Sequence, residues 1–306
     1  MFSLENIPGR TTINEVSHIM TIMVRVMATD SLKPFWRFLH YRVIMSFSTP
    51  NEIAVQAVQA GVKKSHHSLQ NLLILGFLGG AFIAIGFLLD LHVTARLPAD
   101  WGSFGGLLGA MVFPLGLILT IIGGAELLTG NMMVMTLAAL SKKISWVALV
   151  RNWFWVTVAN FIGSIAVAWF FGHLLGMTEG VFLKSTLAIA AAKTHATFLQ
   201  AFISGIGCNW LVCLAVWLGM AAKDAAGKIL GIWFPVMAFV AIGFQHVVAN
   251  MFIIPAAIFA GQGTWTDYFT NFVAVFAGNA AGGAIFVALI YYRAYRPDLQ
   301  GTTGGL

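Results

Sequence analysis

The chain has 306 residues, 59% of them hydrophobic and only 9% charged, with a formal net charge of +6 and a mean hydropathy of +0.85. A soluble domain carries about 25% charged residues, so this composition excludes a water-facing globular enzyme and points to a one-domain polytopic membrane protein. The basic excess reports membrane orientation rather than nucleic-acid binding, because no basic run with interleaved aromatics is present.

Residues 1–60 read as a cytoplasmic N-terminal extension. Arg10, Glu15, Arg25, Asp30, Lys33, Arg37 and Arg42 recur too often for a span to fit, and no apolar core followed by a small-residue cleavage site marks a secretory signal. Basic and apolar residues alternate around Met20 to Ile44, which fits an amphipathic surface segment or a variable tail, and Met45 is a possible second start. Thr49-Pro50 caps and opens a short helix expected to run to Ala60, with Lys63 and Lys64 after it.

Residues 61–306 read as the membrane domain, with six apolar segments: Leu69 to Thr94, Phe104 to Leu140, Trp146 to Leu175, Ala196 to Ala222, Ile229 to Ala260 and Phe269 to Tyr292. The second would extend roughly 55 Å as straight helix at about 1.5 Å per residue, against a hydrocarbon core of about 30 Å. It must therefore be broken, re-entrant or strongly tilted. Gly123-Gly124-Ala125-Glu126-Leu127-Leu128-Thr129-Gly130-Asn131 supplies the break, and Gly243-Phe244-Gln245-His246-Val247-Val248-Ala249-Asn250 supplies its counterpart in the fifth segment. The two breaks align at an offset of 119 residues, with identities at Gly124/Gly243, Asn131/Asn250, Met132/Met251, Asn152/Asn271, Asn160/Asn279 and Gly163/Gly282. A duplicated unit of three segments must insert in opposite senses, so the chain is expected to be an all-α protein of 3+3 inverted repeats with helices 2 and 5 broken at mid-membrane. Nine basic residues flank one face (Lys63, Lys64, Lys142, Lys143, Arg151, Lys223, Lys228, Arg293, Arg296) and three the other (Arg96, Lys184, Lys193), which puts both termini in the cytoplasm. Cys208 and Cys213 lie on different helix faces and serve as inert packing; no metal or other cofactor is expected.

An ionisable group within a broken apolar segment is expensive, and His246 is therefore the leading functional residue. Glu126 at the equivalent break can either ion-pair or cap the following half-helix. Thr129 and Asn131, at the start of a half-helix, can contact an anion or serve as caps. Asn209 and Asn279 are polar groups in apolar surroundings, suited to interhelical hydrogen bonds. Lys193 is either a snorkelling interface lysine or an electrostatic lure for anions. Phe113, Leu117 and Phe239 read as packing on composition alone.

The motifs Gly124-Ala-Glu-Leu-Leu-Thr129-Gly-Asn131, Lys142-Lys143 before Trp146, Asn152-Trp153, Asn160-Phe-Ile-Gly163 and Gly243-Phe-Gln-His246-Val-Val-Ala-Asn250-Met-Phe resemble the formate/nitrite transporter family. The resemblance covers about residues 48 to 295. It implies an aquaporin-like fold of six helices in a homopentamer, with a pore in each protomer. It also implies that His246 is the central pore histidine and that Thr129 is its hydrogen-bond partner. Leu127, Phe113 and Leu117 would be gate residues and Phe239 the opposite-side constriction. Lys193 would be the vestibule lysine, Asn209 the asparagine near the cytoplasmic constriction and Asn279 the sixth-helix asparagine. The sequence departs from the family's formate channels at Gln245, where they have glutamate, removing a negative charge beside the pore.

The expected cargo is a small monovalent anion moving with a proton through the inner membrane; formate, nitrite, hydrosulfide, acetate and lactate remain open. Carrying a bare carboxylate through an apolar constriction costs nominally of order 20 kcal/mol. Neutralising one at pH 7 costs only about 4 kcal/mol when its pKa lies about three units lower, so passage as the acid wins. The alternatives are a pore for neutral solutes, which would be expected to carry Asn-Pro-Ala caps, and an intramembrane serine hydrolase using Ser204 and His246. A zinc protease is excluded by the missing His-Glu-x-x-His helix.

Overall fold

The first helix shows how local sequence sets the frame. In α1 (Pro50–Ser65), Thr49 Oγ1 accepts the Glu52 N–H while Glu52 accepts the Thr49 N–H at 2.8 Å, a reciprocal cap completed by proline in the first turn. The bonds from Thr49 hold the Glu52 carboxyl below the usual carboxylate range. The computed structural model describes Thr21 and residues 47–301, so the segment expected around Met20 to Ile44 lies, Thr21 apart, outside the described residues. α1 continues five residues past Ala60 and buries Ile53, Ala54, Ala57 and Val58. It belongs to the same compact unit as the rest of residues 47–301, and residues 60 and 61 both lie within it.

The chain then forms α2 (Leu69–Thr94), α3 (Ser103–Val112), α4 (Leu115–Gly123), α5 (Leu128–Leu140), α6 (Trp146–Val167), α7 (Leu183–Thr194), α8 (Phe198–Ala221), α9 (Ala225–Ile242), α10 (Val247–Phe259) and α11 (Trp265–Ala281). Two short helices follow, α12 (Ile290–Ala294) and α13 (Arg296–Gly301). Among the described residues there is no strand, only an isolated bridge between Phe47 and Ala222. α3 and α4 are separated at Phe113-Pro114, where proline has no N–H to continue the ladder. α6 and α11 run on into wider, π-helical turns at Ala168–Leu174 and Gly282–Leu289, so the third and sixth segments are not uniform α-helices. α7, which carries Lys193 in its last turn, is a further element beyond the six expected segments.

Six helical stretches are long and apolar enough to cross a membrane: Leu69–Thr94, Ser103–Gly123, Trp146–Leu174, Phe198–Ala221, Ala225–Ile242 and Trp265–Ala294. The shorter α5 and α10 lie deeper. Every residue from Leu128 to Ala139, and every residue from Val247 to Ala257, is buried. Both are buried around their whole circumference, as befits mostly apolar helices enclosed by other helices rather than facing solvent. α2 packs most extensively on α6 and α8 on α11, pairs that occupy matching places in the two halves of the sequence. The first contact is possible because Gly80 lies against the α6 backbone; a Cβ there would sit 2.0 Å from Asn160 O.

Candidate functional site

Two interruptions of the helical backbone define the site. α4 ends at Gly123, and Gly124 adopts a left-handed conformation at φ +87° before the chain extends to Leu127 and restarts as α5. α9 ends at Ile242, Gly243 turns at φ +84°, and the chain extends through His246 before α10. Only glycine reaches these φ values without strain. Each interruption frees backbone groups in a buried place, and an asparagine satisfies them. Asn160 Oδ1 accepts the Leu128 N–H (3.0 Å), and its amide donates to Glu126 O (2.9 Å) and Gly76 O (2.7 Å). Asn279 does the same for Val247 N–H (2.9 Å), Gln245 O (3.0 Å) and Gly205 O (2.8 Å). Asn131 donates to Glu126 and Asn152, as Asn250 does to Gln245 and Asn271.

The two breaks differ at their caps. Leu127 precedes α5 without a side-chain cap, whereas His246 caps α10: its Nδ1 accepts the Ala249 N–H at 3.1 Å. A ring nitrogen that accepts a backbone N–H carries no proton, so in the neutral imidazole the proton is assigned to Nε2. Nε2 lies 2.9 Å from Thr129 Oγ1 and donates to it. Thr129 keeps its own O–H to donate. Phe239 stacks on the imidazole with 5.8 Å between ring centroids.

Two cavities adjoin this pair. One, of about 40 Å³, is lined by Phe87, Asp90, Phe113, Lys193, Phe239, Phe244 and His246 among others. A water needs roughly 10–15 Å³ of such volume, so the space suits a few waters or one very small solute. The other, of about 180 Å³, is lined by Lys64, Leu117, Thr120, Leu127, Gly130 and Asn131 among others. The four expected gate residues thus divide into pairs: Phe113 with Phe239, edge to face at 5.8 Å, and Leu117 with Leu127.

The remaining expected residues fall as follows. Lys193 Nζ donates to Gly243 O and Phe244 O, both at 3.3 Å, turning to the break instead of snorkelling away from it. Glu126 ion-pairs with Lys64 at 2.6 Å, with His67 Nε2 at 3.5 Å. It does not cap α5, whose first N–H is taken by Asn160. Asn209 donates to Asn279 O (2.7 Å) and Thr129 O (3.2 Å), tying the two breaks together. Gln245 is turned into the asparagine network, accepting from Asn250 and Asn271 and donating to Lys193 O. Ser204 accepts the Gln245 N–H, and both His246 nitrogens are engaged elsewhere, so the serine-hydrolase pairing is absent.

Sequence reading gave Lys64 no role beyond orientation and passed over Asp90 entirely. Lys64 and Lys193 are related by 129 residues, as are Gly76 and Gly205 in their bonds to Asn160 and Asn279. The first segments of the two halves are therefore offset by ten residues more than the breaks, and a search at 119 alone misses them.

The family model for the formate/nitrite transporter matches residues 51–293. The chain is 60% identical over 252 residues to the uncharacterized transporter YrhG of Bacillus subtilis, covering 82% of this chain and 95% of that protein. It is 54% identical to the formate channel BtFdhC of Bacillus thuringiensis, covering 82% and 97%. A solved pentameric formate channel with formate bound superposes with a TM-score of 0.64 at 34% identity, covering 74% of this chain and 97% of that one.

Proposed function

Because the chain belongs to the formate/nitrite transporter family, we propose that it is a multi-pass channel for small monovalent weak-acid anions of the formate or nitrite class, which cross as the protonated acid. The observation that carries this reading is the His246–Thr129 hydrogen bond beside a cavity that also holds Lys193. Lys193 attracts the anion, which takes up a proton from the water on the entry side while the Thr129 hydroxyl, held by His246, hydrogen-bonds to it. The neutral acid moves past Phe113 and Phe239 toward Leu117 and Leu127 and releases that proton on the far side. Formate ranks first among the cargoes, since a 54% identical relative and a similar solved structure are both described as formate channels.

The matched contacts at the two breaks support 3+3 inverted repeats with the breaks near the membrane midplane. The described pentamer of the similar structure supports a homopentamer here. The asymmetry of basic residues supports cytoplasmic termini for a protein of the inner (cytoplasmic) membrane. The chemistry is transport and not catalysis.

Uptake of labelled formate into liposomes holding the purified protein tests the proposal. His246→Ala and Lys193→Ala are each expected to lower the rate at least tenfold; wild-type rates in both variants would overturn it.

A further inference from the structure

We propose that Asp90 is the counter-ion of Lys193 and that it sets how strongly the cavity they share with His246 holds an anion; this rests on the transport reading for its functional half only.

Asp90 lies on α2 and is 8% exposed. Its carboxyl sits against the face of α3 at Gly109, where a Cβ would come within 2.0 Å of Asp90 Oδ1. The residue lines the same cavity as Lys193 and His246, and it is the one carboxylate among those lining residues. Asp90 faces Lys193 across the cavity that both line, and acts on it through that space rather than by a contact ion pair. Among the described residues, the Lys193 ammonium donates to two neutral carbonyls at 3.3 Å, and the other titratable group lining the cavity, His246, is neutral in its capping tautomer. A half-buried ammonium without an anionic neighbour would bind an incoming anion tightly. Conduction requires binding favourable enough to admit the solute and weak enough to release it. With Asp90 ionised, the entering anion meets a nearly neutral pair, so it is attracted and released; without Asp90 it meets an uncompensated positive charge.

The test compares wild type, Asp90→Asn, Lys193→Gln and the double variant. Asp90→Ser serves as a second neutral variant where the amide does not assemble. The first readout is independent of transport: the acylation rate of Lys193 by acetic anhydride at one pH, read by mass spectrometry against Lys184 as internal reference. A carboxylate neighbour favours the protonated, unreactive ammonium, so neutralising Asp90 is expected to raise the Lys193 rate at least threefold and leave Lys184 unchanged. The second is formate uptake, where the KM is expected to fall at least threefold without a rise in maximal rate, and to be insensitive to Asp90→Asn when Lys193 is already Gln. An unchanged acylation rate, or the same KM shift in the Lys193→Gln background, overturns the proposal. Faster acylation in a protein that moves no formate leaves the counter-ion standing and removes the transport reading.

Discussion

His246 donates from Nε2 to Thr129 Oγ1 across 2.9 Å because its Nδ1 is already committed to the Ala249 N–H. One imidazole thus performs two tasks, ending a helix and presenting a fixed proton to a buried hydroxyl. The first task sets the tautomer for the second.

The two tasks separate by substitution. Asparagine is among the best helix caps, whereas loss of a capping side chain to alanine costs about 1 kcal/mol. His246→Asn is expected to keep the wild-type melting temperature while losing transport. His246→Ala is expected to lose both. Thr129→Ala leaves the Nε2–H without an acceptor in a buried place, which costs about 1–3 kcal/mol. Its formate uptake is expected to fall about tenfold, with Thr129→Ser restoring most of it. Melting curves in detergent alongside liposome uptake check all four.

Glu126 and Lys64 form an unequal pair: the carboxylate side chain is 4% exposed and the ammonium side chain 23%. Removing Lys64 strands a buried charge, whereas removing the carboxylate's charge leaves Lys64 in reach of water. Breaking a fully buried pair costs about 3–5 kcal/mol, so Lys64→Met is expected to destabilise by somewhat less, about 2–3 kcal/mol, and Glu126→Gln by under about 1 kcal/mol. The double variant is expected to recover most of the loss, since glutamine already occupies the matching position 245 within an equivalent asparagine network. Thermal unfolding of the three variants measures the order.

Much of this architecture is written locally. The lengths and ends of α2 and α8, the glycines at both breaks and the asparagines at 131, 160, 250 and 279 follow from hydropathy and one internal alignment. What that reading lacks is direction. It leaves Glu126 divided between ion pair and cap, because Lys64 lies 62 residues away and meets it only after α1 folds against α5. It overlooks Asp90, one charge near the end of a 26-residue apolar helix, because nothing in α2 itself tells that Lys193 will face it. The interruption at Phe113-Pro114 escapes for a different reason: the surrounding residues are uniformly apolar, and a single proline leaves no periodicity to read.

Gly80 tests the close approach of α2 to α6. A methyl group there would meet the Asn160 carbonyl oxygen at 2.0 Å, and a backbone atom within a helix cannot step aside as a side-chain tip can. Overpacking of this kind costs about 1–3 kcal/mol. Gly80→Ala is expected to fall at the top of that range and to lower the yield of assembled protein. Gly106→Ala, on α3 with nothing within 4 Å, provides the control and is expected to be neutral or slightly stabilising. Thermal unfolding separates a packing effect from a general intolerance of alanine.

Asn160 and Asn279 make the same three bonds at different breaks, so replacing each by leucine should cost similar stability but unequal function. Leucine is close in volume and offers no polar atom, which leaves one N–H and one break carbonyl (Glu126 O or Gln245 O) without partners at each site, while Gly76 O and Gly205 O keep their bonds within α2 and α8. At about 1–3 kcal/mol for each buried orphan, both variants are expected to lose at least about 2 kcal/mol. At Asn279 the released N–H belongs to Val247, directly after His246, so the cap shifts and the imidazole leaves Thr129. At Asn160 the released N–H belongs to Leu128, between Leu127 and Thr129, while His246 keeps its own cap. Uptake per assembled protein is therefore expected to fall more than tenfold in Asn279→Leu and only a few-fold in Asn160→Leu. Equal losses in the two variants would mean that the site depends on bundle stability alone and not on the placement of His246.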